Sequence, residues 1–357
     1  GGVDVFFVVS GFLITTSLLR QVEEHGQPSP VRFLGRLMAR LLPLALVVLL
    51  AVAVATVALL PVTRQASTLG EVIASALYVE NWVLALKAVD YAARDEVKSP
   101  VQHFWALSVQ GQFYLLWFCL VAGTLLVAGR RRFRAALGTV FGVVLVASLA
   151  FSIWLTAVNQ PLAYFHTGTR VWEFAAGGLL ALVIGRLESL PRPLAPLMGW
   201  VGLALVVSCG LVLNVSTMFP GWAALWPVAG ALLVLLSGGT RSRFAIDHVL
   251  GSRPFVIAGG LAYGLYLVHW PILVFVQSAR EQTGPAGLRV GLVILAVSLA
   301  VAFLGTRLVA SPARAWLTVR WPPQRVFGAG LASIALVVAS GMALTGPAPA
   351  DGGEEAL

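Results

Sequence analysis

Six polar side chains that could do chemistry stand inside or at the ends of strongly apolar segments. They are Asp4, Gln112, Tyr114, Arg170, Glu173 and His269. Placing a charged side chain in a membrane costs about 2.5–3.5 kcal/mol on insertion scales, so such residues are retained for a specific role. Carboxylates and histidine can hold or move a proton, and the other side chains can donate hydrogen bonds to a developing oxyanion. Together they indicate one polar site within a membrane.

Three of these residues also have a purely structural interpretation. Arg170 and Glu173 stand at i and i+3, so on a helix they can form an ion pair that makes a charged helix end tolerable. His269 is followed by Trp270 and Pro271, a sequence that also suits an interfacial anchor at a proline kink. The sequence leaves both interpretations open at each position.

The composition is that of a polytopic membrane protein. Hydrophobic residues make up 59% of the chain and charged residues 11%, and the mean hydropathy is +0.89. The net charge of +9 is carried by basic residues in short connections, which indicates topology-setting charge rather than nucleic-acid binding. The two cysteines, Cys119 and Cys209, lie in separate apolar runs without metal or redox spacing, so no metal site is predicted.

Apolar run lengths predict an all-α bundle of transmembrane helices. A helix that crosses a membrane needs roughly 20 apolar residues. Counting the apolar runs of about this length predicts about ten membrane spans. The predicted spans are residues 4–20, 41–62, 111–128, 135–158, 171–186, 198–213, 221–237, 256–277, 286–309 and 326–345.

Arginine is concentrated in alternate connections between these spans, which predicts their orientation. Residues 32–40 and 130–134 are arginine-rich, whereas 63–110 is poorer in basic residues for its length. By the positive-inside rule the arginine-rich connections are cytoplasmic. Span 4–20 is then expected to run from outside to inside, and the C-terminus is expected outside. This orientation places all six polar side chains in the outer half of the membrane.

The long connection over residues 63–110 is expected to be non-helical and to cover or bind something, as long connections in compact proteins do. His103 and His166 fall in connections, where a solvated surface position is expected. Aromatic residues at the start of the third span are expected to form a belt at the membrane interface. These are Phe104, Trp105, Phe113, Tyr114 and Trp117.

Arginines precede the second span at intervals of four, on one face if the segment is helical. They are Arg32, Arg36 and Arg40. Such a cluster suits ordinary positive-inside charge or anionic lipid. It equally suits a phosphorylated ligand, which arginine can bind in a bidentate manner. Spacing alone leaves this choice open.

The ends of the chain carry their own expectations. The sequence begins with glycine and has no initiator methionine, signal peptide or transit sequence, so residue 1 is expected to follow a preceding segment. The last residues, GPAPADGGEEAL at 346–357, have the composition of a flexible tail or the start of a linker.

Five motifs, in this order and spacing, resemble acyltransferase family 3, the bacterial membrane enzymes that O-acylate cell-envelope glycans. The motifs are GVDVFFVVSGFLIT, FLGRLMARLLP, HFWALSVQGQFYLLW, TRVWEF and YGLYLVHWPILVF. The resemblance covers essentially residues 1–310. It departs from the family at Leu37, where an arginine is usual, and at Gln110 and Gly111, where two glutamates are usual. No carboxylate chemistry is therefore assigned at those two positions.

The resemblance implies transfer of an acyl group, commonly acetyl, from cytoplasmic acyl-CoA to a hydroxyl of an extracytoplasmic carbohydrate or lipid-linked acceptor at the bacterial inner membrane. It assigns Arg36 and Arg40 to acyl-CoA and a catalytic role to the six polar residues. The family's catalytic histidine lies on a first helix that precedes GVDVFF, so that helix is expected upstream of residue 1. Acyl-CoA enters as a substrate, and no permanently bound cofactor is expected.

The implied domains follow the same order. Residues 1–323 would form the acyltransferase domain without its first helix, 324–345 an extra transmembrane helix, and 346–357 a tail. Family members with such a helix carry a fused extracytoplasmic SGNH-hydrolase-like domain, which is an expected fused or separate partner. Two other functions fit many spans with a polar cluster, namely a glycolipid transporter or flippase and a scaffold that has lost catalysis.

Overall fold

The structure is a computed structural model that describes residues 1–89, 98–186, 194–212, 218–238, 245–280 and 287–345. Within those ranges the backbone is mostly helical, and no residue there lies in a β-strand. Predicted span ends at residues 213 and 286, and the predicted tail at 346–357, lie outside the described residues.

The helices are numbered in chain order. They are α1 Gly2–His25, α2 Pro30–Leu59, α3 Val62–Ala76, α4 Glu80–Val89, α5 Trp105–Val158, α6 Gln160–Phe165, α7 Val171–Val183, α8 Leu194–Val212, α9 Leu225–Ser237, α10 Ile246–Leu250, α11 Arg253–Arg280, α12 Leu288–Gly305, α13 Ser311–Arg320 and α14 Pro323–Thr345. Short 3₁₀ turns precede α5, α7 and α9, and a π-helical turn at 306–310 joins α12 to α13.

Seven helical stretches of the described chain are long and apolar enough to cross a membrane. They are Gly2–His25, Pro30–Leu59, Gln102–Val158, Leu194–Val212, Arg253–Arg280, Leu288–Arg320 and Pro323–Thr345. The shorter apolar helices are Val171–Val183 and the stretch Trp222–Ser237. The predicted all-α membrane bundle is therefore confirmed, whereas the count of about ten spans stays a prediction.

Three local predictions are corrected or refined by the structure. The connection at 63–110 is largely helical where it is described, because α3 and α4 occupy 62–76 and 80–89. The aromatic residues Trp105, Phe113 and Trp117 are buried in the protein interior rather than forming an interfacial belt. The predicted spans 111–128 and 135–158 fall in α5, where Gly129 breaks the helical geometry at φ 63° and ψ 165°.

The helices fall into two compact units, each described by itself. Unit 1 comprises residues 1–30, 81–95 and 105–260, and unit 2 comprises residues 31–80, 96–104 and 261–357. In unit 2, glycines allow close helix contacts. A Cβ atom on Gly264 of α11 would stand 3.1 Å from the Ala302 carbonyl oxygen of α12, and one on Gly341 of α14 would stand 2.8 Å from the Ile73 side chain of α3.

In unit 1, the backbones of α1 and α7 meet directly. A Cβ atom on Gly177 would stand 2.0 Å from the Val8 carbonyl oxygen, and one on Gly11 would stand 2.1 Å from the Phe174 carbonyl oxygen. Only glycine permits this approach, as in other membrane helix pairs with small residues at their interface. Phe7 stacks on Phe174 beside this crossing, at 4.5 Å between ring centroids. The crossing fixes the start of α1 against the start of α7, which is where the charged residues of unit 1 lie.

Candidate active site

Asp4, Arg170 and Glu173 form a buried charged cluster in unit 1. The Arg170 Nη1 atom donates to Asp4 Oδ1 at 2.9 Å and to Glu173 Oε1 at 3.3 Å. Their exposed fractions are 1% for Asp4, 2% for Arg170 and 0% for Glu173. The ion pair that the i, i+3 spacing predicted is therefore present, and Asp4 adds a second carboxylate to the same nitrogen.

The rest of the Arg170 guanidinium is held mainly by Tyr164 of α6. Its Nε and Nη2 atoms donate to the Tyr164 carbonyl oxygen at 3.4 and 3.2 Å. The guanidinium carbon also lies 5.3 Å from the Trp105 ring centroid and 5.1 Å from that of Tyr164, which is cation–π distance. Since a guanidinium has five N–H donors, most of them are engaged by the protein itself. Arg170 is thus fixed in position and fixes the two carboxylates.

Helix ends favour this arrangement. Arg170 is the N-cap residue of α7, and Glu173 lies in the first turn of that helix. Asp4 lies in the first turn of α1. Backbone N–H groups at a helix N-terminus stabilise negative charge, so each carboxylate stands where the local dipole favours it.

One atom of the cluster is left unsatisfied. Glu173 Oε2 is buried and has no hydrogen-bond partner in the part of the chain that the structure describes. A buried carboxylate oxygen without a partner is costly, on the order of 1–3 kcal/mol or more, and is uncommon in folded proteins. Such an atom marks a place where a further donor would bind.

Gln112 belongs to a separate polar network in unit 1. Its Oε1 atom accepts hydrogen bonds from Thr167 Oγ1 at 2.6 Å and Trp82 Nε1 at 3.2 Å, and its Nε2 atom donates to Asn81 Oδ1 at 2.8 Å. Asn81 in turn donates to Thr167 Oγ1 and to the Phe165 carbonyl oxygen. The network therefore ties α4 and α5 to the connection that carries Arg170.

Replacing Gln112 with alanine is expected to lower the free energy of unfolding by about 2 kcal/mol, because several buried or half-buried hydrogen bonds are lost together. Unfolding in detergent, followed by circular dichroism, measures this change. The control is Gln27→Ala, at an exposed position between α1 and α2, which should stay within about 0.5 kcal/mol of the parent. Equal effects of the two substitutions would contradict the network.

The connection between α6 and α7 contains His166, which is only partly exposed. Its Nδ1 atom accepts a hydrogen bond from the Gly168 N–H at 3.0 Å, so this nitrogen carries no hydrogen. Burial lowers the pKa of His166, which agrees with a neutral ring. Burial also raises the pKa of the Tyr164 hydroxyl. Both groups are uncharged near neutral pH.

Gln110 and Tyr114 are buried on the same helix as Gln112. Gln110 donates to Ser10 Oγ at 3.0 Å and so joins α5 to α1. The Tyr114 ring packs against Phe113 at 5.7 Å between centroids. These contacts give Gln110 a structural role, and the predicted catalytic role of Tyr114 stays a prediction.

His269 lies in unit 2, where it is joined by a histidine that the sequence placed on the surface. His103 is 9% exposed, and its ring lies 5.7 Å from that of His269 in an edge-to-face arrangement. The expectation of a solvated His103 was wrong, because the short turn before α5 packs its side chain against α11. Pro271 is the signal in the sequence that could have found it, since a proline in a helix leaves a carbonyl group in need of a donor.

Arg36 and Arg40 lie near the start of α2 with exposed side chains. A spacing of four residues on a helix places both on one face. Arg32 is also exposed and lies on the same face one turn earlier. This exposed strip of positive charge is accessible to an anionic ligand.

Comparison with known proteins identifies the family of the chain. A family profile of the acyltransferase domain, acyltransferase family 3, matches residues 1–307. The chain belongs to acyltransferase family 3. The match confirms the family that the five motifs indicated, and it spans both units of the structure.

Two relatives of this family-3 chain are O-acetyltransferases by name. The peptidoglycan O-acetyltransferase OatA of Listeria monocytogenes is 29% identical over 329 residues, which cover 88% of this chain and 51% of the relative. The O-acetyltransferase OatA of Staphylococcus aureus is 27% identical over 320 residues, covering 88% of this chain and 52% of the relative. The chain thus spans about half the length of these curated relatives. No solved structure matches it.

Proposed function

We propose that this family-3 chain is the membrane part of an O-acyltransferase that moves an acetyl group from acetyl-CoA to a hydroxyl of a cell-envelope glycan. The observation that carries the proposal is the buried Asp4–Arg170–Glu173 cluster, in which Glu173 Oε2 has no partner within the described ranges. The printed name of the Listeria relative makes peptidoglycan the first acceptor to test.

In this proposal Arg170 holds two carboxylates in place, and Glu173 Oε2 accepts a hydrogen bond from a reacting group. That donor is the acceptor hydroxyl or the N–H of an imidazole that deprotonates it. Water exclusion strengthens such a contact, because charge interactions are stronger in a low-dielectric interior. The cluster then orients the reacting groups before the acyl group arrives. Holding these groups in the reactive geometry lowers the entropic part of the activation barrier.

The acyl donor is proposed to bind at the exposed strip of Arg36 and Arg40, on the cytoplasmic side. Its pyrophosphate and 3′-phosphate offer several anionic oxygens, and arginine binds such groups through paired N–H donors. The hydroxyl attacks the carbonyl carbon of the thioester, the C–S bond breaks, and the thiol of CoA leaves with the proton that the hydroxyl released. The acceptor is proposed to lie at the outer face.

The test uses the full-length protein in proteoliposomes with acetyl-CoA labelled in the acetyl group and a peptidoglycan fragment as acceptor. We expect label on the glycan with equimolar release of free CoA. Glu173→Gln should reduce kcat by at least about 100-fold while the protein inserts normally, because a neutral amide oxygen accepts the hydrogen bond from the reacting group more weakly than a carboxylate oxygen does. Movement of unmodified glycan across the membrane without labelling would instead support a transporter.

The donor site has its own variants. Alanine at both Arg36 and Arg40 should raise the KM for acetyl-CoA by about tenfold or more, since each charge-assisted hydrogen bond contributes about 1.5–3 kcal/mol. Arg132→Ala, at an exposed arginine of α5, is the matched control and should leave KM unchanged. An unchanged KM in the double variant would show that Arg36 and Arg40 do not bind acetyl-CoA. The proposal that a glycan is the acceptor would not be affected.

A further inference from the structure

Four aromatic side chains form a row in unit 1, beside the connection that carries Arg170. The His166 ring lies edge-to-face against the Trp82 ring at 4.7 Å and against the Phe151 ring at 5.2 Å between centroids. Phe151 in turn stacks with Trp154, one helical turn later in α5, at 5.9 Å. The row therefore runs from α4 across this connection to α5. We call these four residues the aromatic row.

The two ends of the aromatic row are open. Trp82 is 38% exposed and Trp154 is 58% exposed, whereas Phe151 and His166 between them are only partly exposed. The face of an aromatic ring is apolar in character and carries partial negative charge. The two exposed indole rings therefore present flat surfaces that suit a ligand with C–H groups on one face.

The Trp82 ring is oriented by the protein. Its Nε1 atom donates to Gln112 Oε1 at 3.2 Å, in the network that also includes Thr167 and Asn81. A tryptophan that anchors a protein at a membrane interface keeps its polar end at the level of the lipid headgroups. In Trp82 the N–H is used inside unit 1, so the ring is held at its polar edge while part of its surface remains exposed.

His166 adds a hydrogen-bond donor between the rings. Its Nδ1 atom accepts from the Gly168 N–H at 3.0 Å, so the neutral ring carries its hydrogen on Nε2. That N–H has no hydrogen-bond partner among the residues that the structure describes. Aromatic surface with a few fixed polar groups is typical of a binding site for a small ligand. The aromatic row therefore suits a ligand with an apolar face and polar atoms at its edge.

We propose that the aromatic row binds sugar rings of the acceptor glycan. A pyranose has C–H groups on its faces, which pack on the exposed ring of Trp82, and oxygen atoms at its edge, which accept from His166 Nε2–H. Trp154 offers a second face to another sugar of the same glycan. His166 precedes Arg170 by four residues across the 3₁₀ turn Thr167–Thr169, a path of about 8 Å at 2.0 Å per residue. The row is then a subsite for sugars adjacent to the one that reacts. The inference rests on the proposed function for the identity of the glycan.

The test measures glycan binding without catalysis. The full-length protein in lipid nanodiscs, without acetyl-CoA, is titrated with a tetramer of β-1,4-linked N-acetylglucosamine by isothermal titration calorimetry. Trp82→Leu should raise the dissociation constant by about tenfold, since it keeps apolar bulk but removes the aromatic face. Trp316→Leu, at an exposed tryptophan of α13, is the matched control and should leave the dissociation constant unchanged. Equal affinities of the parent and Trp82→Leu, or no binding by the parent, would overturn the inference.

Two further variants separate the aromatic face from the donor. Trp82→Phe keeps an aromatic face without the indole N–H, so it should bind within about threefold of the parent. His166→Asn keeps an acceptor for the Gly168 N–H, because its amide oxygen takes the place of Nδ1, but it has no donor at the position of Nε2. It should raise the dissociation constant about fivefold, the usual effect of one lost hydrogen bond. A folded Trp82→Phe protein that binds as weakly as Trp82→Leu would contradict stacking, and unchanged binding by His166→Asn would contradict the donor.

Failure of the aromatic row and failure of the proposed function give different results. Glycan binding that depends on Trp82, in a protein that transfers no acetyl group, would contradict only the proposed function. Acetyl transfer to peptidoglycan by a protein whose glycan affinity is unchanged in Trp82→Leu would contradict only the aromatic row. A lower yield of Trp82→Leu in the membrane with unchanged affinity would instead make Trp82 an interfacial anchor and would also overturn the inference.

Discussion

Alanine in place of Arg170 is expected to abolish acetyl transfer and to deplete the folded protein in the membrane. The substitution leaves Asp4 and Glu173 buried without the cation that both share. Breaking a buried ion pair by removing one partner costs about 3–5 kcal/mol, because the remaining charge has no compensation. Acetyl transfer and the yield of monodisperse protein after extraction in detergent both measure the loss.

Two further variants make this prediction specific. Arg170→Lys keeps the charge but cannot reach both carboxylates and the Tyr164 carbonyl from one planar group, so it should recover yield more than activity. Arg289→Ala, at an exposed arginine of α12, is the matched control and should keep both. If Arg170→Ala kept parental yield and activity, the cluster would have no structural or catalytic importance.

Alanine in place of Gly177 is expected to disrupt the same site from a distance. The added methyl group would stand 2.0 Å from the Val8 carbonyl oxygen, so α1 and α7 must move apart. Overpacking of this kind costs about 1–3 kcal/mol, and here it displaces Asp4 from Arg170 because the two residues are on the separated helices. We expect a lower melting temperature in detergent and a fall in kcat of about tenfold or more.

Gly123→Ala in α5 is the matched control for Gly177→Ala. It makes the same chemical change in a helix, but a Cβ atom at Gly123 has no neighbour within 4 Å. Alanine is favoured over glycine in a helix by about 1 kcal/mol, so this variant should be as stable as the parent or more stable. A Gly177→Ala protein as stable and active as Gly123→Ala would show that the crossing tolerates separation.

The sequence pattern predicted contacts between site residues that lie close together in the sequence. The Arg170–Glu173 pair follows from a spacing of three residues, and the apolar run lengths predicted α7, α11 and α14 within three residues of their observed ends. Asp4 could not be joined to this pair by spacing, because its contact with Arg170 spans 166 residues of sequence. That contact depends on Gly11 and Gly177, whose role appears only when α1 and α7 are brought together.

Connections between spans were predicted less well, for physical reasons. Residues 62–76 form the amphipathic helix α3. Polar residues on one face of this helix interrupt the apolar run, so a prediction from run length alone assigned the segment to a loop. His103 was expected in solvent because it precedes a span. Its burial follows from the carbonyl that Pro271 leaves free, and the sequence shows the need for a donor without showing which distant residue supplies it.

The shared nitrogen of Arg170 also has a consequence for how the chain is made. The carboxylate of Asp4 emerges from the ribosome 166 residues before its counter-charge. At about 5–20 residues per second this interval is on the order of 10–30 s. Until then α1 carries a carboxylate without the cation that it pairs with in the folded protein, so this contact between α1 and α7 cannot form before α7 is synthesised. The early helix and the late helix are therefore coupled during biogenesis as well as in the finished fold.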